Sequence, residues 1–232
     1  MKAKITFFPV DNGDMTLVQL ADPDQTCLLI DMHIRQAADD PDDDTRDVAK
    51  DLRERLKRDS SGRPYVDAFL LTHPDKDHCS GLENHFHLGA LEDYADDEKD
   101  DTQKKIVIRQ LWSSPMIFRR ASKTHTLCDD AKAFNTEAKR RVQANLDQSF
   151  INIPVGDRIL ILGKDIDSKT DDLNPILIKE GGIFFGINGS AKSYLKCHLL
   201  APDLAEDDDT ESRLSKKPLQ CSAKSNNCRK RD

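Results

Sequence analysis

The feature that most constrains this chain is the stretch Leu70-Leu71-Thr72-His73-Pro74-Asp75-Lys76-Asp77-His78-Cys79-Ser80-Gly81-Leu82. An apolar run, Val66 to Leu71 with Asp67 inside it, feeds a loop in which four of six residues, His73, Asp75, Asp77 and His78, are of metal-ligand type. A buried strand ending in such a loop predicts an α/β fold with its chemistry at the carboxyl edge of a sheet, where the loop is exposed and the strand beneath holds it still. Neutral imidazoles and carboxylates at alternate positions suit one or two divalent ions of the zinc type and leave coordination positions open. Taken singly, each of these residues reads as solvated loop. Four of them in six positions after a buried strand outweigh that reading.

The flanking chain supplies elements for such a sheet. Ile5–Val10, Met15–Leu20 and Cys27–Asp31 are strand-like runs separated by the turn residues Asp11-Asn12-Gly13-Asp14 and Ala21-Asp22-Pro23-Asp24, which predicts a meander. Val48 to Leu56 has apolar positions four apart and predicts a helix that crosses back to the Val66 strand, so the meander becomes β-α-β. Further strands are expected at Lys105–Trp112, Arg158–Gly163, Ile176–Lys179 and Leu195–Pro202. Between them, Leu127, Ala131, Phe134, Ala138, Val142 and Leu146 form the apolar stripe of a helix over 124–145. A helix is also expected from Gly81; His85 and His87, two apart, would not share its face and are not taken as ligands. Asp39 to Asp47 holds six acids in nine residues and reads as a solvated loop, without the glycine a calcium-binding EF-hand loop needs.

The motif His73-x-Asp75-x-Asp77-His78 followed by Ser80-Gly81-Leu82 resembles the metal-binding signature of metallo-β-lactamase-fold hydrolases, usually His-x-His-x-Asp-His. The variant with Asp75 is similar to that of members related to the soluble domain of bacterial DNA-uptake channel proteins. The resemblance implies an αββα sandwich spanning residues 1–212, with His73 and Asp75 holding one ion and Asp77 and His78 the other. It implies zinc as the metal, with manganese or iron as the other candidates, and Asp77 as the residue that positions the attacking water. Asp31, ending its strand, would orient the ligand loop from behind. The implied activity is hydrolysis of a phosphodiester or another ester, in a small-molecule or nucleic-acid substrate. The alternative is a noncatalytic binding or regulatory module that keeps the fold with a degraded metal centre. His198, in the second half, is a weaker candidate for a further ligand; His33 and His125 read as surface residues.

Charge and cysteine usage bound the partners. Residues 1–212 hold 28 basic and 41 acidic residues, a net −13, so the body lacks the basic footprint of a general nucleic-acid binder. No apolar run reaches the length of a membrane span and no leader pattern opens the chain, so no membrane partner is expected. Cys27, Cys79, Cys128, Cys197, Cys221 and Cys228 contain no Cys-x-x-Cys pair; in a chain read as leaderless they are expected to be reduced thiols in the cytoplasm, with Cys79 packed rather than ligating.

Residues 213–232 carry seven Lys or Arg and one acid, without apolar periodicity. With AAA codons at Lys216 and Lys217, a one-base shift permits Lys-Asn-His-Cys-Ser-Val-Leu-Gln-Asn-Leu in the neighbouring frame. That resembles the segment that precedes the bridging Asp and last His of the related hydrolases. The expectation is a truncated fold with those two ligands beyond residue 232, and a disordered or frameshifted tail.

Overall fold

A computed structural model describes residues 2–36, 40, 42–113, 127–146 and 153–162, together with the backbone of three later strands. It is a mixed α/β fold with parallel and antiparallel pairing. The meander forms as expected: β1 (Lys4–Phe7), β2 (Thr16–Gln19) and β3 (Cys27–Ile30) pair antiparallel. After a short β4 (Met32–His33), α1 (Val48–Arg53) returns the chain. The Asp47 carboxylate caps α1 through the Lys50 amide at 2.8 Å, which gives the last residue of the acidic block a structural task. A minor strand β5 (Lys57–Arg58) follows, then β6 (Pro64–Val66) and β7 (Ala68–Leu70).

Beyond the ligand loop lie two single-turn helices, α2 (Lys76–Cys79) and α3 (Leu82–His85), then β8 (Phe86–His87), β9 (Ile106–Ile108) and β10 (Gln110–Ser113). The helix expected from Gly81 is therefore one turn long, and His87 lies on a strand. The long helix α4 spans Asp129–Leu146, and β11 spans Arg158–Leu162. β12 (Leu177–Ile178), β13 (Ile183–Phe185) and β14 (Ala191–Lys196) complete the described elements. The last begins four residues before the strand expected at 195–202, and 197–202 lie outside the described residues.

The main sheet has the order β1-β2-β3-β7-β10-β11-β12, parallel from β3 onward. Its inner strands alternate with period two. Leu29, Phe69, Leu71, Leu111, Ile159 and Ile161 join one core with Val48, Ala49 and Leu52 of α1 and Ala131, Phe134, Ala138 and Val142 of α4. The α4 residues are the stripe read from the sequence. Leu28, Ala68, Leu70, Trp112 and Leu160 form an apolar cluster of their own, as expected for residues that alternate with the first set on the opposite face.

A smaller sheet, β5-β6-β9-β8, is continuous with this one, because β6 runs on into β7 and β9 into β10. The crossing points are Asp67, between β6 and β7, and Arg109, between β9 and β10. The Asp67 carboxylate, 3% exposed as a residue, accepts from the Cys27 amide at 2.8 Å and pairs with Lys57 at 3.2 Å and Arg109 at 3.5 Å. The Arg109 guanidinium lies 3.4 Å from the Tyr65 ring centroid. The acid that interrupts the apolar run is thus the anchor of the junction. Burial opposes the charge on Lys57, but Asp67 and Tyr65 together outweigh it and raise the Lys57 pKa.

A second buried ionic group fixes α4. Arg141, 1% exposed, donates to Glu137 at 2.6 Å and to the carbonyls of Ile108 and Arg158. Glu137 also receives Arg140 and the Gly89 amide. Burial pushes the Glu137 pKa up, and the Arg140 and Arg141 guanidiniums more than offset it, leaving the carboxyl below its usual range.

Two outcomes follow. Asp67→Ala strands two cations and a buried amide, and is expected to cost roughly 3 kcal/mol in urea unfolding. Because Glu137 is held ionised in the folded chain, its stabilisation is present above its unfolded pKa of 4.5 and disappears as pH falls through its lower folded value. Glu137→Gln should therefore be less stable at neutral pH, with a shallower loss below pH 4.5 in acid-unfolding curves.

Candidate metal centre

The parallel strands β3 and β7 end side by side, tied by the Asp31 amide to the Leu70 carbonyl at 2.9 Å. Asp31 itself takes a left-handed conformation, φ 49°, which a residue with a side chain adopts only at a cost. The turn aims its buried carboxylate at the start of the ligand loop. Oδ1 accepts from the Thr72 amide at 2.7 Å, and Oδ2 accepts from the Thr72 hydroxyl at 2.6 Å and meets His78 Nδ1 at 3.0 Å.

This network sets both imidazoles. A carboxylate only accepts, so His78 Nδ1 carries the proton and Nε2 presents its lone pair. The single Thr72 proton goes to Asp31, so the Thr72 oxygen, 2.9 Å from His73 Nδ1, accepts from that ring. His73 is thereby held in the same tautomer, with Nε2 as its open nitrogen. Asp31 stands where an orienting carboxylate is expected, and Thr72, quoted in the sequence but given no role there, carries its effect to the second histidine.

The open nitrogens face the loop's own carboxylates. His73 Nε2 is 3.7 Å from Asp75 Oδ2, and His78 Nε2 is 3.9 Å from Asp77 Oδ2. The His73 and His78 ring centroids are 3.7 Å apart. Two donors on one tetrahedral zinc, each about 2.1 Å from it, lie roughly 3.4 Å from each other. Pairs at 3.7 and 3.9 Å fit that spacing after small side-chain adjustments. Asp31, His73 and His78 also offer atoms within 4.8 Å of one another. Since both Asp31 oxygens are already engaged by Thr72 and His78, we assign Asp31 to orientation rather than to ligation.

The walls come from distant parts of the chain. At Gly13, φ 120°, an added Cβ would lie 2.2 Å from the Asp77 carbonyl and 2.8 Å from His33 Nδ1. Only glycine lets this first turn close on α2. His33, expected on the surface, is half-buried and bonds the Asn12 carbonyl beside that contact. At the same edge the Ser113 hydroxyl donates to the Leu71 carbonyl at 3.2 Å. Behind the loop, Asp130 at the start of α4 accepts from the Gly81 and Glu83 amides at 3.0 and 2.9 Å.

Cys79, fully buried at the end of α2, packs in the core as expected and meets Cys128 sulfur to sulfur at 3.7 Å. The sulfur–sulfur contact with Cys79 chiefly pushes the Cys128 thiol down to about 6. The same contact and burial push Cys79 up. His85 and His87 point elsewhere, to Arg53 at 3.2 Å and the Ala90 carbonyl at 2.8 Å. His125, His198 and residues 213–232 lie outside the described residues.

Comparison with protein-family models, curated proteins and solved structures finds no match. Among the described residues, no helix is long and apolar enough to cross a membrane.

Gly13→Ala is expected to cost about 2 kcal/mol, from a strained φ and a blocked contact, and to shift the Asp77 and His78 amide resonances. Nitrogen-15 spectra of the metal-free chain should show His73 and His78 as Nδ1–H tautomers. Asp31→Ala should abolish that preference at His78 first.

Proposed function

We propose that this chain is a metal-dependent hydrolase of the metallo-β-lactamase type, with His73, Asp75, Asp77 and His78 holding one or two zinc ions, or manganese or iron in their place. The observation that carries the proposal is the Asp31–Thr72 network, which turns the Nε2 atoms of two neighbouring histidines toward two carboxylates. Such an arrangement is costly to build, since it needs a left-handed Asp31 and a glycine at position 13. The apolar cluster of Leu28, Leu70, Trp112 and Leu160 supports a second layer and hence the αββα sandwich over residues 1–212.

Bound metal would supply water acidified to near neutral pH and a polarised phosphoryl or acyl oxygen. The chain's own residues do the positioning. The Asp77 side chain is 39% exposed, so it can hold the attacking water by its hydrogen and accept its proton. The His78 side chain, 12% exposed and fixed by Asp31, is the rigid member of the set. A phosphodiester or other ester suits these groups. The four proposed ligands all come from one loop, and this favours the noncatalytic metal-poor module as the second reading.

Elemental analysis of protein purified without added metal tests the first step. About one or two equivalents of metal are expected for the parent chain, none for Asp77→Ala/His78→Ala, and affinity roughly 10- to 100-fold weaker for Asp31→Asn. Metal-dependent hydrolysis of bis(p-nitrophenyl) phosphate would support the enzyme, and bound metal without turnover the noncatalytic module. A parent chain without metal overturns the hydrolase and leaves the noncatalytic module.

A further inference from the structure

Cys79 and Cys128 are 49 residues apart in sequence, yet their sulfurs are in van der Waals contact at 3.7 Å. Their carriers are fixed against each other. Asp130, two residues after Cys128, clamps the Gly81 and Glu83 amides, two and four residues after Cys79. The pair therefore meets through folded structure, and a disulfide of ordinary length needs about 1.7 Å of approach between the sulfurs.

The two thiols differ in access. Cys79 is fully buried and donates to the Asp75 carbonyl at 3.2 Å, whereas Cys128 is partly exposed. Cys128 stands immediately before the 18-residue helix α4, its carbonyl accepting from the Lys132 amide at 3.1 Å. A position at a helix start favours the thiolate at Cys128, the nucleophilic form.

We propose that Cys79 and Cys128 form a reversible redox site that gives up two electrons to a low-molecular-weight disulfide of the glutathione class, locking α2 to α4. The Cys128 thiolate attacks one sulfur of the small disulfide, breaks its S–S bond and expels a thiolate. The mixed disulfide on Cys128 then faces Cys79, whose sulfur attacks that of Cys128 and expels the second small thiolate. The two protons of the protein dithiol end on the two released thiols; the protein loses two electrons and the small disulfide gains them. The site does not depend on bound metal, but its bond sits one residue from His78. Oxidation thus tethers the helix that carries Asp77 and His78.

The test uses the full-length reduced chain treated with oxidised glutathione, alkylated and digested without reductant. Mass spectrometry is expected to find a peptide pair joined through Cys79 and Cys128, the mass of two hydrogens lost, and full reversal by dithiothreitol. In Cys79→Ser the glutathione should remain on Cys128 as a mixed disulfide. In Cys128→Ser, where serine is itself a favoured residue before a helix, Cys79 should stay unmodified. Cys79 and Cys128 both remaining open to alkylation after unfolding, or Cys128 joined to any other cysteine, would overturn the proposal. So would glutathione persisting on Cys128 of the parent chain.

Discussion

The carboxylate of Asp31 is the interaction on which the functional edge of this protein depends. It is buried, it sits on a residue forced into left-handed backbone, and its two oxygens are filled by the Thr72 amide, the Thr72 hydroxyl and His78. One group thereby joins the end of β3 to the start of the ligand loop and decides which nitrogen each histidine exposes. A strained conformation persists only where its surroundings over-determine it, and here the parallel pairing of β3 with β7 does so. The cost of the turn is borne by the sheet, and its benefit is realised in the loop.

The loop's cluster of donor types was legible because its residues lie within six positions of one another. His73 to His78 could be read as a cluster without knowing any tertiary contact, and the period-two and period-3.6 patterns of the meander and α4 were local in the same sense. What supports the loop was not legible. Thr72 is an ordinary hydroxyl until the Asp31 carboxylate, 41 residues earlier, takes its proton. Cys128 has no sequence signal that points to Cys79, and Gly13 looks like any turn glycine until the Asp77 carbonyl lies against it. Each of these depends on a partner more than forty residues away.

Two readings changed meaning in the structure. Asp67 looked like an irregularity in an apolar run and is the hub of three interactions. The acidic stretch from Asp93 to Asp101 has the composition of a solvated loop, yet it contains Asp96, which is 6% exposed and accepts from the Lys105 amide. In both cases a charge was judged by its type, while its burial is decided by the neighbours the fold brings to it.

The crossing of strands at Asp67 and Arg109 has a consequence for how the molecule comes apart. The segments 64–70 and 106–113 each run through both sheets, as β6 into β7 and β9 into β10, so central strands of the two sheets are joined end to end. Pulling β5 or β8 away would leave the small sheet's remaining strands still continuous with the core, and melting the core would leave the small sheet without a template. The two sheets are therefore one cooperative unit. The ligand loop, attached directly to the end of one shared segment, inherits the stability of the whole rather than that of an edge.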